Sequence, residues 1–466
     1  MDLTQGPIGR TLLAFSLPTL GSNVLQSLNA SINAIWVGHY LGEAPLTAAT
    51  NANMLLFLLM GAVFGVVMVT GIMVGHSMGA RDVQQAKRVV GSSAVFLILL
   101  SLVTAVVGAL TAGPILRLMG TPADAMPFAV SYLRIVFIAT PAMFFYIYVA
   151  MTLRGAGDAR TPFIFMIVSV ALDIVLNPLL IFGVGPLPAL GIEGAALAML
   201  ISQTVTLLAM MVLLYRRKHF LCIHKDELHY LRMQPAIVKV LVLRGLPMGL
   251  QMLIVSSSML AMLGLINHYG TQTTAAFGAA LQLWTYVQMP AFAIGSAVSI
   301  MAAQNIGAGR WDRVTASTRS GLWIAFAITG AMVVLIYLFN HAAVGIFLPE
   351  GSTAVEVAAH INKVALWSFL VFSGTLVLLS VVRASGAVVG PLLILFGSLW
   401  ATRLPIAYGL AGQWGEDAIW WSFPLSQIVG LALAAGYYVY GGWRQVQIMP
   451  AHAPKAAAAQ ADSIGP

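Results

Sequence analysis

The chain has 466 residues, 59% of them hydrophobic and only 8% charged, with a mean hydropathy of +0.90 and a formal net charge of +8. A water-soluble domain cannot bury that much apolar surface, and its exterior needs far more charge. Apolar runs recur from end to end, each long enough to cross a hydrocarbon layer of about 30 Å as a helix. Helix satisfies its own backbone hydrogen bonds in lipid, so an all-α polytopic membrane protein is expected.

In chain order the runs predict twelve spans, at residues 13–37, 46–76, 90–112, 128–153, 162–184, 191–215, 238–267, 275–303, 318–340, 360–382, 392–412 and 419–441. The first is too long for a signal-peptide core and lacks a small-residue cleavage site, so the N-terminus is expected to be retained. With both termini on one side, 19 of the 23 Lys and Arg fall on that side, the exceptions being Arg117, Arg134, Lys363 and Arg403. The positive-inside rule makes the crowded side cytoplasmic, which places a multi-pass protein in an inner (cytoplasmic) membrane with both ends inside. The basicity is then topology and not a nucleic-acid footprint. The single cysteine, Cys222, lies in the loop between spans 6 and 7 and implies no disulfide and no metal site.

The sequence repeats at an offset of about 228 residues. GHSMGARDVQQAKR (75–88) after span 2 answers AQNIGAGRWDRVTA (303–316) after span 8, and LRGAGDARTP (153–162) answers VRASGAVVGP (382–391). SLPTL (16–20) answers GLPMG (245–249). Six spans separate equivalent points, so the halves share one orientation and form two six-helix bundles related by a parallel pseudo-two-fold repeat. The predicted units are residues 1–215, a polar basic linker at 216–237 with a short helix, residues 238–445, and a disordered cytoplasmic tail at 446–466. Two facing bundles leave a cleft near the midplane, and rocking one against the other gives alternating access.

Span 5 contains LDIVLNPLLIFG (172–183). Asp173 and Asn177 are four residues apart and share a helix face, while Pro178 frees the carbonyl of Ile174 one turn back. A charge at that depth costs at least ~2.5–3.5 kcal/mol, so Asp173 is expected to face the bundle interior. Burial disfavours the ionised form of a carboxyl group, which suits such an acid to carry a proton. On the cleft walls, Trp36, Gln282, Trp284, Tyr286 and Met289 are the candidate substrate contacts. Aromatic faces suit cations, and Met surface is adaptable. His76 reads as a helix-end residue, Glu193 as the opening charge of span 6 near the outer surface, and Arg403 as an anchor, a partner or a substrate contact. No P-loop, catalytic triad or metal-ligand spacing occurs, so neither an enzyme nor a cofactor is expected.

With the Leu-Pro of spans 1 and 7, INAIWVG (32–38), the Gly-Ala turns, LRGAGDARTP, LNPLLIFG and GIEGAALAM (191–199), the chain resembles the multidrug and toxic compound extrusion (MATE) transporters from about residue 7 to 445. The resemblance implies efflux of amphipathic or cationic organic compounds by an ion-driven antiporter, as a monomer in the lipid bilayer. It also implies that Asn33 joins Asp173 and Asn177 in an ion-coupling cluster, with Pro18 and Pro178 able to kink their helices. Many relatives carry Asp where this chain has Asn33. One branch reads Asn-x-x-Leu-Asp-Pro where this chain has Asp173 and Asn177 exchanged, with Thr where Met199 stands here. Two acids and a Thr can hold Na⁺; one acid, two amides and a thioether suit H⁺ better. Na⁺-coupled efflux and flipping of a lipid-linked precursor are the alternatives.

Overall fold

The computed structural model describes residues 2–41, 43–183, 188–348 and 352–448, and among these every regular element is helical. The first half holds α1 (Ile8–Leu41), α2 (Glu43–Gly79), α3 (Val83–Leu118), α4 (Met126–Gly155), α5 (Arg160–Phe182) and α6 (Ile192–Arg216). The second holds α7 (Pro235–Asn267), α8 (Thr271–Gly307), α9 (Trp311–Leu338), the short α10 (Asn340–Gly345), α11 (Ala354–Ala365), α12 (Ser368–Ala384), α13 (Val389–Ser398), α14 (Leu404–Trp414) and α15 (Asp417–Tyr440). Ten spans among the described residues are long and apolar enough to cross a membrane, with α13 and α14 forming one of them, and α11 with α12 makes an eleventh. The twelfth, α1, is less apolar because Asn23, Gln26, Asn29 and Asn33 punctuate it. The expected linker helix is a 3₁₀ segment, Lys225–Leu231. Beyond residue 448 the expected disordered tail lies outside the described residues.

The turns repeat as the sequence does. Arg81 (φ 58°) and Gly309 (φ 71°) take the left-handed conformation at the turns after α2 and α8. Gly157 (φ 88°) and Gly386 (φ 92°) do so after α4 and α12. A residue without a Cβ occupies that region freely, which is why three of the four are glycine. After Arg81, Asp82 caps α3 by accepting from the Gln85 N–H at 2.8 Å.

Among the described residues two spans depart from a straight α-helix, both in the second half. The span expected at 360–382 is broken between α11 and α12 and bends by 48°. The Tyr337 hydroxyl enters the backbone ladder there, accepting from the Trp367 N–H at 3.2 Å while facing the carbonyls of Asn362 and Lys363 at 3.3 and 3.2 Å. A side chain inserted in this way is a recognised cause of a kink. The span expected at 392–412 carries a π-helical turn at Leu399–Arg403.

Packing places α2 and α8 at the centre and α3 and α9 at the periphery. The apolar stretch of α8 is 78% buried and that of α2 62%, against 22% for α3 and α9. The bundles meet where α1 packs on α8 and α7 on α2, contacts related by the repeat. At the end carrying the basic turns, one continuous core joins both bundles, from Leu3 and Phe15 through Val66–Val74 to Ile294–Ala303, Val381 and Trp443. At the other end there are two separate cores, one around Ala52, Leu116, Tyr132 and Ile192, the other around Phe277, Trp284, Phe369 and Trp420. The molecule is closed at its basic end and divided at the opposite one.

Candidate functional site

Within the first bundle, α5 presents Asp173 and Asn177 on the face that packs against α1. Both side chains are buried, at 2% and 1% exposure, and Asn33 of α1 is half-buried beside them. The Asn177 Nδ2 donates to the Asn33 Oδ1 at 2.9 Å and approaches the Asp173 carbonyl at 2.9 Å. The Asn33 Nδ2 in turn donates to the Asp173 Oδ2 at 2.9 Å. The polar groups form a directed chain that ends on the acid. Two acceptors remain without a donor among the described residues, Asp173 Oδ1 and Asn177 Oδ1. Unsatisfied buried oxygens cost free energy, and a proton on the carboxylate oxygen, or a cation bound to either oxygen, would lower that cost. No cluster of three or more His, Cys, Asp or Glu fit for a metal occurs among the described residues.

Pro18 and Pro178 both lie inside continuous helices, α1 and α5. Each removes one backbone donor, so α5 has a weak point directly after Asn177 and α1 has one about four turns before Asn33. Nothing in the sequence pointed to Tyr132 on α4, which is buried at 8% exposure in the same core cluster as Ile181 of α5. Nor did it single out Asn29, one helical turn before Asn33, whose buried Oδ1 is without a donor among the described residues.

The five cavity candidates separate. Trp36 is half-buried and meets Phe182 edge to face, with ring centroids 6.0 Å apart. Gln282 and Tyr286 are exposed on α8. Trp284 does not fit a cleft wall: it is 1% exposed, its indole N–H donates to Asn362 Oδ1 at 2.9 Å, and it packs against Phe277, Phe369 and Phe423. Met289 is also core, at 8% exposure. On α8, Gln282 and Tyr286 are four residues apart and share a face, whereas Trp284 lies two residues from each on another, and apolar composition does not distinguish a cleft face from a packed one. Of the four cations outside the basic loops, Arg117, Arg134 and Lys363 are exposed, whereas Arg403 is buried in mid-span.

The closed end is held by hydrogen bonds that cross between bundles. The His76 Nε2 lies 2.7 Å from the carbonyl of Ala384, the last residue of α12, and the Gln304 Nε2 donates to the carbonyl of Gly155, at the end of α4, at 2.9 Å. Gly79 and Gly307 permit the approach: a Cβ on the first would stand 1.8 Å from the Gln304 oxygen, and on the second 2.0 Å from the His76 oxygen. Residues near the N-terminus seal the seam, with Leu3 N–H donating to Gln304 Oε1 at 3.1 Å and Asn305 Nδ2 to the Leu3 carbonyl at 3.2 Å.

The MatE family model matches the chain twice, at residues 18–179 and 247–409. Over 443 residues the chain is 38% identical to the probable multidrug resistance protein YoeA of Bacillus subtilis strain 168, covering 95% of each chain. It is 30% identical over 449 residues to the probable multidrug resistance protein YpnP of the same organism, covering 96% of this chain and 98% of YpnP. A crystal structure of MATE in complex with MaL6 superposes with a TM-score of 0.87 at 21% identity, covering 95% of this chain and 97% of that one, which is a likeness of fold.

Proposed function

Because the chain belongs to the MatE family of membrane transport proteins, we propose that it is a secondary antiporter that exports amphipathic organic compounds, cationic ones among them, in exchange for protons. The bundles, 1–215 and 238–445, rock about the closed seam while the linker 216–237 follows. Both termini and the basic turns face the cytoplasm of a cell whose inner membrane holds the protein as a monomer. The conformation described is then closed to the cytoplasm and divided towards the outside. The substrate contacts are Trp36, Gln282 and Tyr286.

The observation that carries the reading is the buried chain Asn177–Asn33–Asp173 with one carboxylate oxygen left without a donor. Protonation of Asp173 turns that oxygen into a donor, and loss of the proton restores an acceptor. Since Asn33 belongs to α1 and Asp173 to α5, each change alters the bond between two helices. Pro18 lets α1 respond to that change. A proton therefore shifts the balance between arrangements by whatever it gains in one and not the other.

The test is exchange in proteoliposomes under an imposed pH gradient. Asp173→Asn should lose proton-driven dye efflux while retaining dye binding; undiminished exchange refutes the assignment. The second orphan oxygen, Asn177 Oδ1, supports Na⁺ as the alternative ion. Efflux that requires a sodium gradient and ignores pH would select that reading.

A further inference from the structure

At the basic end, a cavity opens between the start of α7 and the segment that follows α15. Its volume is about 400 Å³, and it is lined by Lys239, Val240, Leu243 and Arg244 of α7 with Gln447 and Ile448. That volume falls within the range of small-molecule sites, roughly 300–1,000 Å³. The wall opposite α7 is fixed from behind. Trp443 is fully buried and donates from its indole N–H to the Tyr438 carbonyl at 2.8 Å. Ile448 is buried against Gly386, where a Cβ would stand 3.0 Å from the Ile448 Cβ. Gln447 stays exposed beside it.

The charge of the cavity is one-sided. Lys239 is exposed and Arg244 half-buried, and the lining holds no acid. None of the ion pairs among the described residues includes either cation. A guanidinium presents a fixed fork of donors that matches a phosphate edge, and an ammonium adds a point charge. Beyond the cavity, Leu243, Leu246, Leu250 and Leu253 are exposed at spacings of three and four, so they form one stripe, with Lys239 one turn before it. On a spanning helix such a stripe faces acyl chains. With 33 residues, α7 is about 50 Å long against a hydrocarbon layer of about 30 Å, so its first turns stand at headgroup level.

We propose that this cavity binds the headgroup of an anionic phospholipid. Lys239 and Arg244 hold the phosphate, Gln447 meets the alcohol esterified to it, and the leucine stripe lies under an acyl chain. A zwitterionic headgroup would bring an ammonium among two cations with no acid to receive it. The first half has no such site. At the offset that pairs Pro18 with Pro247, Lys239 answers to Arg10, but Arg244 answers to Phe15, a core residue. The leaflet is the cytoplasmic one under the orientation given above, and the binding itself does not depend on that orientation.

The test is native mass spectrometry of the full chain in detergent, titrated with dioleoyl phosphatidylglycerol or dioleoyl phosphatidylcholine, reading the fraction that carries one lipid. Wild type should bind the anionic lipid about tenfold more tightly, the effect of one charge-assisted hydrogen bond. Lys239→Gln and Arg244→Gln should each weaken it about fivefold, the contribution of one cation at a membrane surface, and leave phosphatidylcholine unchanged. Arg10→Gln, which removes the equivalent exposed cation of α1, should change neither. An equal loss in Arg10→Gln overturns the proposal, since the attraction would then be diffuse. So does equal binding of the two lipids by wild type. Displacement of phosphatidylglycerol by millimolar glycerol phosphate overturns it too, because the site would then serve a soluble phosphate. The wild-type comparison stands even where a variant does not fold. No flux is read and detergent has no leaflets, so the result is independent of proton coupling and of which end faces the cytoplasm.

Discussion

The two bundles share one architecture and differ in how they treat buried polarity. In the first, a single acid is reached through two amides, and α4 and α5 run unbroken past the site. In the second, the equivalents of those helices are interrupted, one by the Tyr337 hydroxyl and the other by a π turn, and the buried charge is a cation. Duplication conserves packing because each helix must fit its neighbours. It leaves polar positions free to diverge, since a buried charge is tolerated wherever local partners satisfy it.

What the bundles hold in common is the seam, and breaking it should have the largest effect. Gly79→Leu would drive a side chain into the Gln304 carbonyl, where a Cβ has 1.8 Å of room. Backbone cannot yield as a side chain can, so the loss should reach about 3 kcal/mol or more. The readout is thermal unfolding of the purified protein, beside Gly264→Leu in α7, where a Cβ meets nothing within 4 Å. A fall in Tm for Gly79→Leu with none for Gly264→Leu is expected. Equal falls would mean that the seam is no more constrained than an open helix face.

The common architecture was legible in the sequence because it is written as period and length. Twelve apolar runs, two copies of a Gly-Ala turn and the Leu-Pro pairs needed no side-chain geometry to read. The face shared by Asp173 and Asn177 followed from helical spacing, while Asn33 was reached through the family pattern. What differs between the bundles was not legible. Tyr337 acts on a helix thirty residues away in sequence, and a π turn adds a residue without any composition signal. Trp284 and Tyr286 are two residues apart on one helix, so membership of the core or the cleft depends on which neighbour covers each face. The same holds for Arg403, whose burial rests on Phe423 and Ser426 of α15.

The interruption in α11–α12 can be tested by removing one atom. Tyr337→Phe takes the hydroxyl from the Trp367 N–H and from the Asn362 and Lys363 carbonyls. An unpaired backbone group of this kind costs about 1–3 kcal/mol. A smaller fall in Tm than for Gly79→Leu is expected, while the same change at Tyr146, whose hydroxyl meets only the Met166 sulfur at 3.7 Å, should cost less. If Tyr146→Phe proved the more damaging, the hydroxyl would not be what sustains the kink.

The smallest effect concerns the linker, which rides on the first bundle. Its Glu227 receives the Lys87 Nζ of α3 on both carboxylate oxygens, at 2.5 and 2.7 Å, and the Gln234 N–H donates to Ser92 Oγ at 2.9 Å. The hydrogen bond from Lys87 holds the Glu227 carboxyl below the usual carboxylate range. A depressed acid contributes its attraction above its ordinary titration range and loses it as pH falls through the lowered value. Since the pair is near the surface, the contribution is slight and weakens with salt. Limited proteolysis of the linker at neutral pH and low salt should therefore run somewhat faster in Glu227→Gln than in wild type. The two should converge once the medium is acid enough to protonate Glu227, or at high salt. A difference that survives both conditions would mean that the linker is held by shape alone. In that case the close fit of Gly91 under the Tyr230 carbonyl, where a Cβ would stand at 2.2 Å, would be the contact to alter next.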